Sequence, residues 1–379
     1  MRILELCTNF LGGGIQRHAM ELSESLRHQG HSVFLGGTPG PWLNEHIDSS
    51  FLTLNIAAVS TNERNVISRI ASAIQLAAIL RRFLKKERIE LIHAHESAPA
   101  IVARLATIGL GIPVLVTYHG SEPERVKSFG RIGRATSKLI ITPSQRCAEE
   151  LHDQAGVPKD RLRVIRLGVQ PPPVIDPQRT EELRERLLGP DGEILVVIVA
   201  RLAYQKGMDI LVDVVSEVAK QRRDIRFIVV GDGPQRHDVK HWAIGAGVDD
   251  LLKFEGETDE PYLYLKAADL FLLTSRWEAL PITIAEAFQA ALPVIATDTG
   301  GVSELVSESV GRVIPVGHVG KLAAAILEVC GNEKLRKTMS AAALSVSRED
   351  RFSIPHIHRI FEQTYAEIIG VPLRDKAGP

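Results

Sequence analysis

The sequence predicts two α/β domains, each a doubly wound parallel sheet with helices on both faces. A chain of 379 residues is too long for one ordinary core, which sets the expectation at two domains. Short β-rich runs alternate with helical stretches throughout, the pattern of α/β folds. Runs such as ILVVIVA (194–200) and FIVVG (227–231) are apolar on both faces, as strands between two helix layers must be.

Taken in order, the first half offers strands at Arg2–Leu6, Ser32–Leu35, Leu91–His93, Val114–Thr117, Leu139–Thr142 and Arg163–Arg166. A glycine turn, Leu11 to Gly14, separates the first strand from a helix containing Gln16–Leu26. From Val66 to Lys86, apolar Ile70, Ile74, Ala77 and Leu84 recur near helical spacing. Arg81, Arg82, Lys85, Lys86 and Arg88 crowd the end of that helix, where the dipole favours cations. VQPPPV (169–174) stops regular structure and reads as a stiff linker near Val169–Pro173. The second half opens with a helix around Arg179–Leu188. Its strands are Ile194–Val199, Arg226–Val230, Leu251–Phe254, Leu270–Thr274, Pro293–Ala296 and Gly311–Ile314. A last helix, Ser353–Ile369, follows a turn at Arg351–Phe352.

Bulk properties narrow the class. Apolar residues make up 45% and charged residues 24%, as in ordinary globular proteins. No run approaches eighteen uninterrupted apolar residues, so no membrane span is expected. MRILELCTNF reads as a strand and not as a secretory leader, and a cytoplasmic location is expected. Cys7, Cys147 and Cys330 are odd in number and far apart, which argues against a disulfide framework or a zinc knuckle. The net charge of −1 conceals an asymmetry. Residues 61–170 hold 18 basic against 10 acidic side chains, while residues 171–379 hold 24 against 31. The basic stretch is either a solvated surface or a field for phosphate, acidic lipid or an anionic acceptor. A peripheral contact with an anionic membrane follows from the second reading; no nucleic-acid partner is expected.

Four features point to a bound diphosphate and sugar. Glycines at the first strand-to-helix turn, Gly13 and Gly14 among them, let a ligand approach the backbone where a helix N-terminus favours anions. Tight packing would also want glycine there. Arg201 and Lys206 follow a strand at its carboxyl end, where ligands bind in open α/β sheets. They can stabilise charge building on a departing diphosphate; a helix-packing role is the alternative. Glu278 precedes a helix that should begin near Pro281, and Glu286 lies about one turn inside it. Between them the helix N-terminus can hold a diphosphate while the acids accept hydrogen bonds from hydroxyls. Two exposed glutamates, one dipole-stabilised, are the bland reading. Finally, Tyr118-His119-Gly120 ends a strand, and His119 can bind a sugar hydroxyl or act as a general base. A lone histidine is usually structural, so its weight comes from the other three features.

Two other patterns compete. Gly231-Asp-Gly233-Pro resembles a dinucleotide fingerprint, but Arg236 occupies the third glycine's place. His93-Ala-His95-Glu96 places two histidines on one strand face, with no third metal ligand at usual spacing. No Asp-x-Asp pair exists for a bridging magnesium, and no metal or cofactor is expected.

The chain resembles the retaining glycosyltransferases of family 4, which have the GT-B fold. The resemblance rests on LGGGIQRH, IHAHE, TYHG, VIRLGV, VARLAYQKGMDIL, VVGDGP, FEG and TSRWEALPITIAEAFQAALPVIATDTGGVSELV, in family order over nearly the whole chain. It implies two facing Rossmann-like domains with a cleft between them. An acceptor-side domain would span 1–169 plus 353–379, with the last helix crossing back to it, and a nucleotide-sugar domain 170–352. It implies that Arg201 and Lys206 contact the diphosphate, Glu278 the transferred sugar and Glu286 the ribose, with Leu280, Pro281 and Ile282 lining the same donor site. The backbone at Gly13 and Gly14 would close over the phosphates, and His119 would face the sugar near its anomeric carbon. Transfer from a UDP- or GDP-linked donor to a glycan, lipid-linked or polysaccharide acceptor would keep the anomeric configuration without a metal, in cell-envelope glycoconjugate synthesis. Leu280-Pro281 stands where many members have Phe-Gly, which bears on the sugar's identity. A GT-B epimerase or phosphorylase and a non-catalytic sugar-nucleotide binder remain as alternatives; no lysine stands out for the phosphorylase cofactor.

Overall fold

The structure is a computed structural model and describes residues 1–11, 13–40, 50–60 and 65–372. The chain divides into two compact units, Met1–Gly168 with Ile354–Pro379, and Val169–Ser353.

The first unit carries seven parallel strands in the order β3-β2-β1-β4-β5-β6-β7. They are β1 (Arg2–Asn9), β2 (Ser32–Thr38), β3 (Phe51–Thr53), β4 (Leu91–Ala94), β5 (Val114–Thr117), β6 (Leu139–Thr142) and β7 (Leu162–Val164). The second carries six parallel strands in the order β10-β9-β8-β11-β12-β13. They are β8 (Ile194–Val199), β9 (Ile225–Val230), β10 (Leu252–Gly256), β11 (Leu270–Leu273), β12 (Val294–Thr297) and β13 (Gly311–Ile314). In both sheets the order reverses beside the first strand, between β1 and β4 and between β8 and β11. The carboxyl ends of strands at such a switch point are where doubly wound folds bind ligands.

All twelve expected strands are present, displaced by at most a few residues at their ends. β3 went unread: three residues on the sheet edge are too short to show a period. The helix Val66–Lys86 buries Ala73, Leu76, Ala77, Leu80 and Leu84. Ile70 and Ile74, read as part of the apolar stripe, are 55% and 58% exposed and face outward. Helical spacing alone did not say which side of the stripe packs.

The helix Ile354–Ile369 belongs to the first unit despite following the whole of the second. Its Ile357, Phe361 and Tyr365 join Leu22, Leu26 and sheet residues in one buried cluster. Phe361 and Tyr365 are fully buried, and removing such a side chain typically costs about 3–5 kcal/mol. A His31–Glu362 hydrogen bond and the Arg163–Glu367 ion pair tie down its rim.

Candidate functional site

In the second unit three loops meet at the carboxyl ends of β8, β11 and β12. The loop after β8 leads through Arg201 to a short 3-10 turn, Tyr204–Lys206, and into the helix Met208–Ala219. Gly207, at φ +63°, makes that junction; a Cβ there would stand 2.2 Å from the Thr274 carbonyl oxygen. The two loops are stitched together by their backbones. Arg276 N–H donates to Gln205 O at 2.7 Å, Thr274 Oγ1 to Lys206 O at 2.9 Å, and Gln205 Nε2 to Trp277 O at 3.1 Å. Arg276 lies 4.0 Å over the Tyr204 ring and pairs with Asp209, whose carboxyl the guanidinium's hydrogen bonds hold below its usual range.

This stitching brings Lys206 and Glu278 together. Lys206 Nζ donates to Glu278 Oε1 at 2.5 Å, and Ser275 Oγ donates to the same oxygen at 2.6 Å. Glu278 is 8% exposed at its side chain and Lys206 20%, so the pair sits largely out of water. Gly300, after β12, closes the arrangement from the other side. Its φ is +47°, and a Cβ would lie 1.9 Å from the Glu278 carbonyl oxygen. Gly301 N–H donates to Ala279 O at 2.8 Å. Pro281 is the N-cap of the helix Ile282–Gln289, and no side chain caps it. The first-turn N–H groups of a helix lack intrahelical partners and attract anions. Leu280 and Pro281 are buried, Ile282 is half-buried, and Glu286 is half-buried on the fifth residue of this helix. Arg201 is exposed, and among the described residues its guanidinium makes no ion pair. Lys206 and Glu278 thus stand together, with Pro281 and Glu286 on the helix that follows Glu278 and Arg201 two residues past β8.

In the first unit, Gly13 is the N-cap of the helix Gly14–His28 at φ +133°, a conformation open to glycine, and Gly14 is the first helical residue. Gly12 of the same turn lies outside the described residues. His119 follows β5 and lines a cavity of about 540 Å³ with Thr8, Arg69, His95, Glu96 and Tyr118.

His119 is not a lone histidine. β1 pairs with β4 in a register that sets Glu5 opposite His93. The Glu5 carboxylate, fully buried, accepts from His95 Nε2 at 2.8 Å and from the Tyr365 hydroxyl at 3.0 Å, and its Oε2 lies 2.9 Å from His93 Nδ1. Thr117 Oγ1 is 2.6 Å from His93 Nε2, and His95 Nδ1 is 3.3 Å from His119 Nε2. The expectation of no third ligand beside His93 and His95 is corrected here. Glu5 supplies it, from another strand 88 residues away, with the candidate ligand atoms within 4.8 Å of one another. Sequence spacing could not show it, because sheet neighbours are remote in the chain. The one available signal was a glutamate among the apolar residues of the first strand. The carboxylate–imidazole separations are of hydrogen-bond length.

Burial would raise the Glu5 carboxyl, but the adjacent histidines more than offset that and hold it well below the carboxylate range. Burial, with His93 adding, lowers His95 to about 4. Burial likewise pushes His18 and His119 well below the usual imidazole value.

Two parallel-sheet α/β units, of seven and six strands, match the GT-B fold of glycosyltransferases. Residues 12–171 match the family described as Glycosyltransferase Family 4, and residues 179–346 the one described as Glycosyl transferases group 1. The chain belongs to the family 4 glycosyltransferases and is an enzyme of that kind. It is 26% identical over 362 residues to the alpha-monoglucosyldiacylglycerol synthase of Streptococcus pneumoniae (strain ATCC BAA-255 / R6), covering 89% of this chain and 80% of the relative. It is 26% identical to the UDP-Gal:alpha-D-GlcNAc-diphosphoundecaprenol alpha-1,3-galactosyltransferase of Escherichia coli, covering 85% and 86%. Among solved structures, Anabaena Alr3699/HepE in complex with UDP-glucose matches with a TM-score of 0.82 at 22% identity, covering 97% of this chain and 100% of that one.

Proposed function

We propose that this enzyme moves a sugar from a nucleotide diphosphate donor, UDP- or GDP-linked, to a glycan, polysaccharide or lipid-linked acceptor, with retention of the anomeric configuration. The observation that carries the donor assignment is the Lys206–Glu278 pair, with its Ser275 contact, beside the helix N-terminus at Ile282. A pyrophosphate there gains the N–H groups of the first turn, the Lys206 ammonium and the Arg201 guanidinium, while Glu278 accepts from sugar hydroxyls and Glu286 from the ribose. Leu280, Pro281 and Ile282 present backbone to the donor. Gly13 and Gly14 offer another helix N-terminus to an anion, and His119 meets a sugar hydroxyl.

In this mechanism the acceptor hydroxyl attacks the anomeric carbon on the face that the diphosphate leaves. The bond from that carbon to the phosphate oxygen breaks, and the departing oxygen takes the hydroxyl proton. Arg201 and Lys206 supply the charge that a metal provides elsewhere. UDP is favoured as the nucleotide because UDP is named in the Anabaena complex and UDP-Gal in the Escherichia coli relative. Among the described residues no helix is long and apolar enough to cross a membrane. The proposed setting is the cytoplasm, with the basic stretch of residues 61–170 touching anionic lipid at the membrane's inner face.

Thermal-shift measurements across a panel of UDP- and GDP-sugars test the donor, since ligand that binds only the folded state raises apparent stability. A rise confined to one or two donors is expected. NMR of the transferred anomeric centre then tests retention. Inverted product, or no stabilisation by any nucleotide sugar, would refute the assignment.

A further inference from the structure

We infer that the outward face of the helix Val66–Lys86 lies on an anionic bilayer, and that the acceptor is a lipid-borne phosphate ester taken up by the cavity that the same helix lines through Arg69. The inference rests on the sugar-transfer reading and narrows it. Of the acceptor classes named there it selects the lipid-linked one, and it assigns the membrane contact to one helix instead of a basic stretch.

The helix has an outer surface unsuited to water. Its 21 residues include no acid. Between Val66 and Ile79 every fully exposed side chain is apolar except Gln75. Ile67 is 80% exposed, and Val66, Ile70 and Ile74 are each more than half exposed. A surface helix ordinarily turns its charged and polar groups outward, and a continuous apolar patch there marks a contact. The last turns supply the complementary kind of side chain. Arg82 and Lys85 are exposed, and among the described residues neither pairs with an acid. At about 100° per residue, Ile67, Ile70, Ile74 and Lys85 fall within about 60° of one another, so isoleucines and cation share one side of the rod. Arg81 Nη1 donates to Ile108 O at 2.7 Å, which holds a further exposed isoleucine against the basic end. Isoleucines beside cations, with acids excluded, suit acyl chains under anionic headgroups. Pairing with a second copy of the chain through this face would bring no acid to meet those cations.

Arg69 turns the other way. It is half-buried, and its Nε donates to Val59 O at 2.9 Å. Among the described residues its terminal nitrogens have no partner, and it lines the cavity of about 540 Å³ together with His119, Ile15, Ile101 and Phe129. A guanidinium held at Nε keeps its two terminal nitrogens for a phosphate, and the apolar neighbours suit the first carbons of a lipid chain. One helix thus carries both the membrane face and a wall of the cavity.

Flotation of the full-length protein tests the face, with vesicles of phosphatidylcholine alone and of phosphatidylcholine mixed with phosphatidylglycerol. Binding to the mixed vesicles only is expected. A triple variant, Ile67→Gln, Ile70→Gln and Ile74→Gln, should weaken it at least about tenfold. A double variant, Arg82→Glu and Lys85→Glu, should do the same at low salt. Both should keep the wild-type Tm, because the altered side chains are exposed. No flotation, or equal flotation of all three proteins, would overturn the docking. A lower mass for the isoleucine variant in sizing with light scattering, its flotation unchanged, would give the face to a second copy instead. The cavity is tested with dihexanoylphosphatidic acid below its micelle concentration, which should raise Tm in the wild type and not in Arg69→Gln, while Arg69→Gln still floats. No rise, an equal rise in Arg69→Gln, or an equal rise with glycerol 3-phosphate would overturn the lipid acceptor. Donor binding is read apart from this: a protein that floats but is stabilised by no nucleotide sugar keeps its membrane face and loses sugar transfer. One that a nucleotide sugar stabilises but that never floats keeps transfer and loses the face.

Discussion

Lys206 and Glu278, 72 residues apart, meet across two loops with Nζ and Oε1 2.5 Å from each other. Each is largely out of water. The cation proposed for the diphosphate and the acid proposed for the sugar are therefore one ion pair, set in position before either meets a ligand. A site assembled this way spends little reorganisation at the moment of reaction.

Glu278→Ala or Lys206→Ala should each lower turnover by at least ~10²-fold, the scale of lost transition-state electrostatics. Either change also strands the partner's charge and should lower Tm. Steady-state rates with the true donor and acceptor decide the matter, and near-wild-type turnover in both variants would remove these residues from the mechanism.

Gly300→Ala should be severe for a residue so far from being catalytic itself. The added Cβ would fall 1.9 Å from the Glu278 carbonyl oxygen, at a φ of +47°. The loop bearing Glu278 must move, with an expected stability loss of roughly 2 kcal/mol or more and a fall in kcat. Denaturant unfolding alongside kinetics would show both, and a silent Gly300→Ala would mean the loop is softer than its contacts imply.

The buried histidines set an acid limit on stability. His18, His95 and His119 are neutral in the fold, with values below those of the unfolded chain. Below the ordinary imidazole value of about 6.5 the unfolded chain binds more protons, so stability falls as pH drops toward about 4, where His95 charges in the fold. Glu5 acts with the same sign at lower pH, since its folded value is depressed and its contribution fades once the unfolded carboxyl protonates. Calorimetry should show Tm falling by roughly 5 °C or more between pH 7 and pH 5. His18→Phe should flatten that slope, and a level Tm over this range would contradict the neutral assignment.

Much of this was legible from the residues. Runs such as ILVVIVA announced buried parallel strands, and Arg201, Lys206, Glu278 and Glu286 stood at strand and helix ends where an anion would be held. What stayed hidden was what forms only when distant segments meet. The Ser275 bond to Glu278, the approach of Gly300 and the clasp of Arg276 on Asp209 depend on loops that neighbour one another only across the sheet. His119 read as solitary because His95 reaches it from the end of another strand, with Glu5 behind His95 on a third.

The helix Ile354–Ile369 completes a unit whose other parts precede it by nearly two hundred residues. On the ribosome, Glu5 emerges 360 residues ahead of Tyr365, whose hydroxyl donates to it. Until then the nascent half-molecule carries an uncovered groove and a carboxylate short of a donor. Premature termination anywhere within the intervening unit would leave a polypeptide that cannot seal this groove, marking the truncated product for chaperones and proteases.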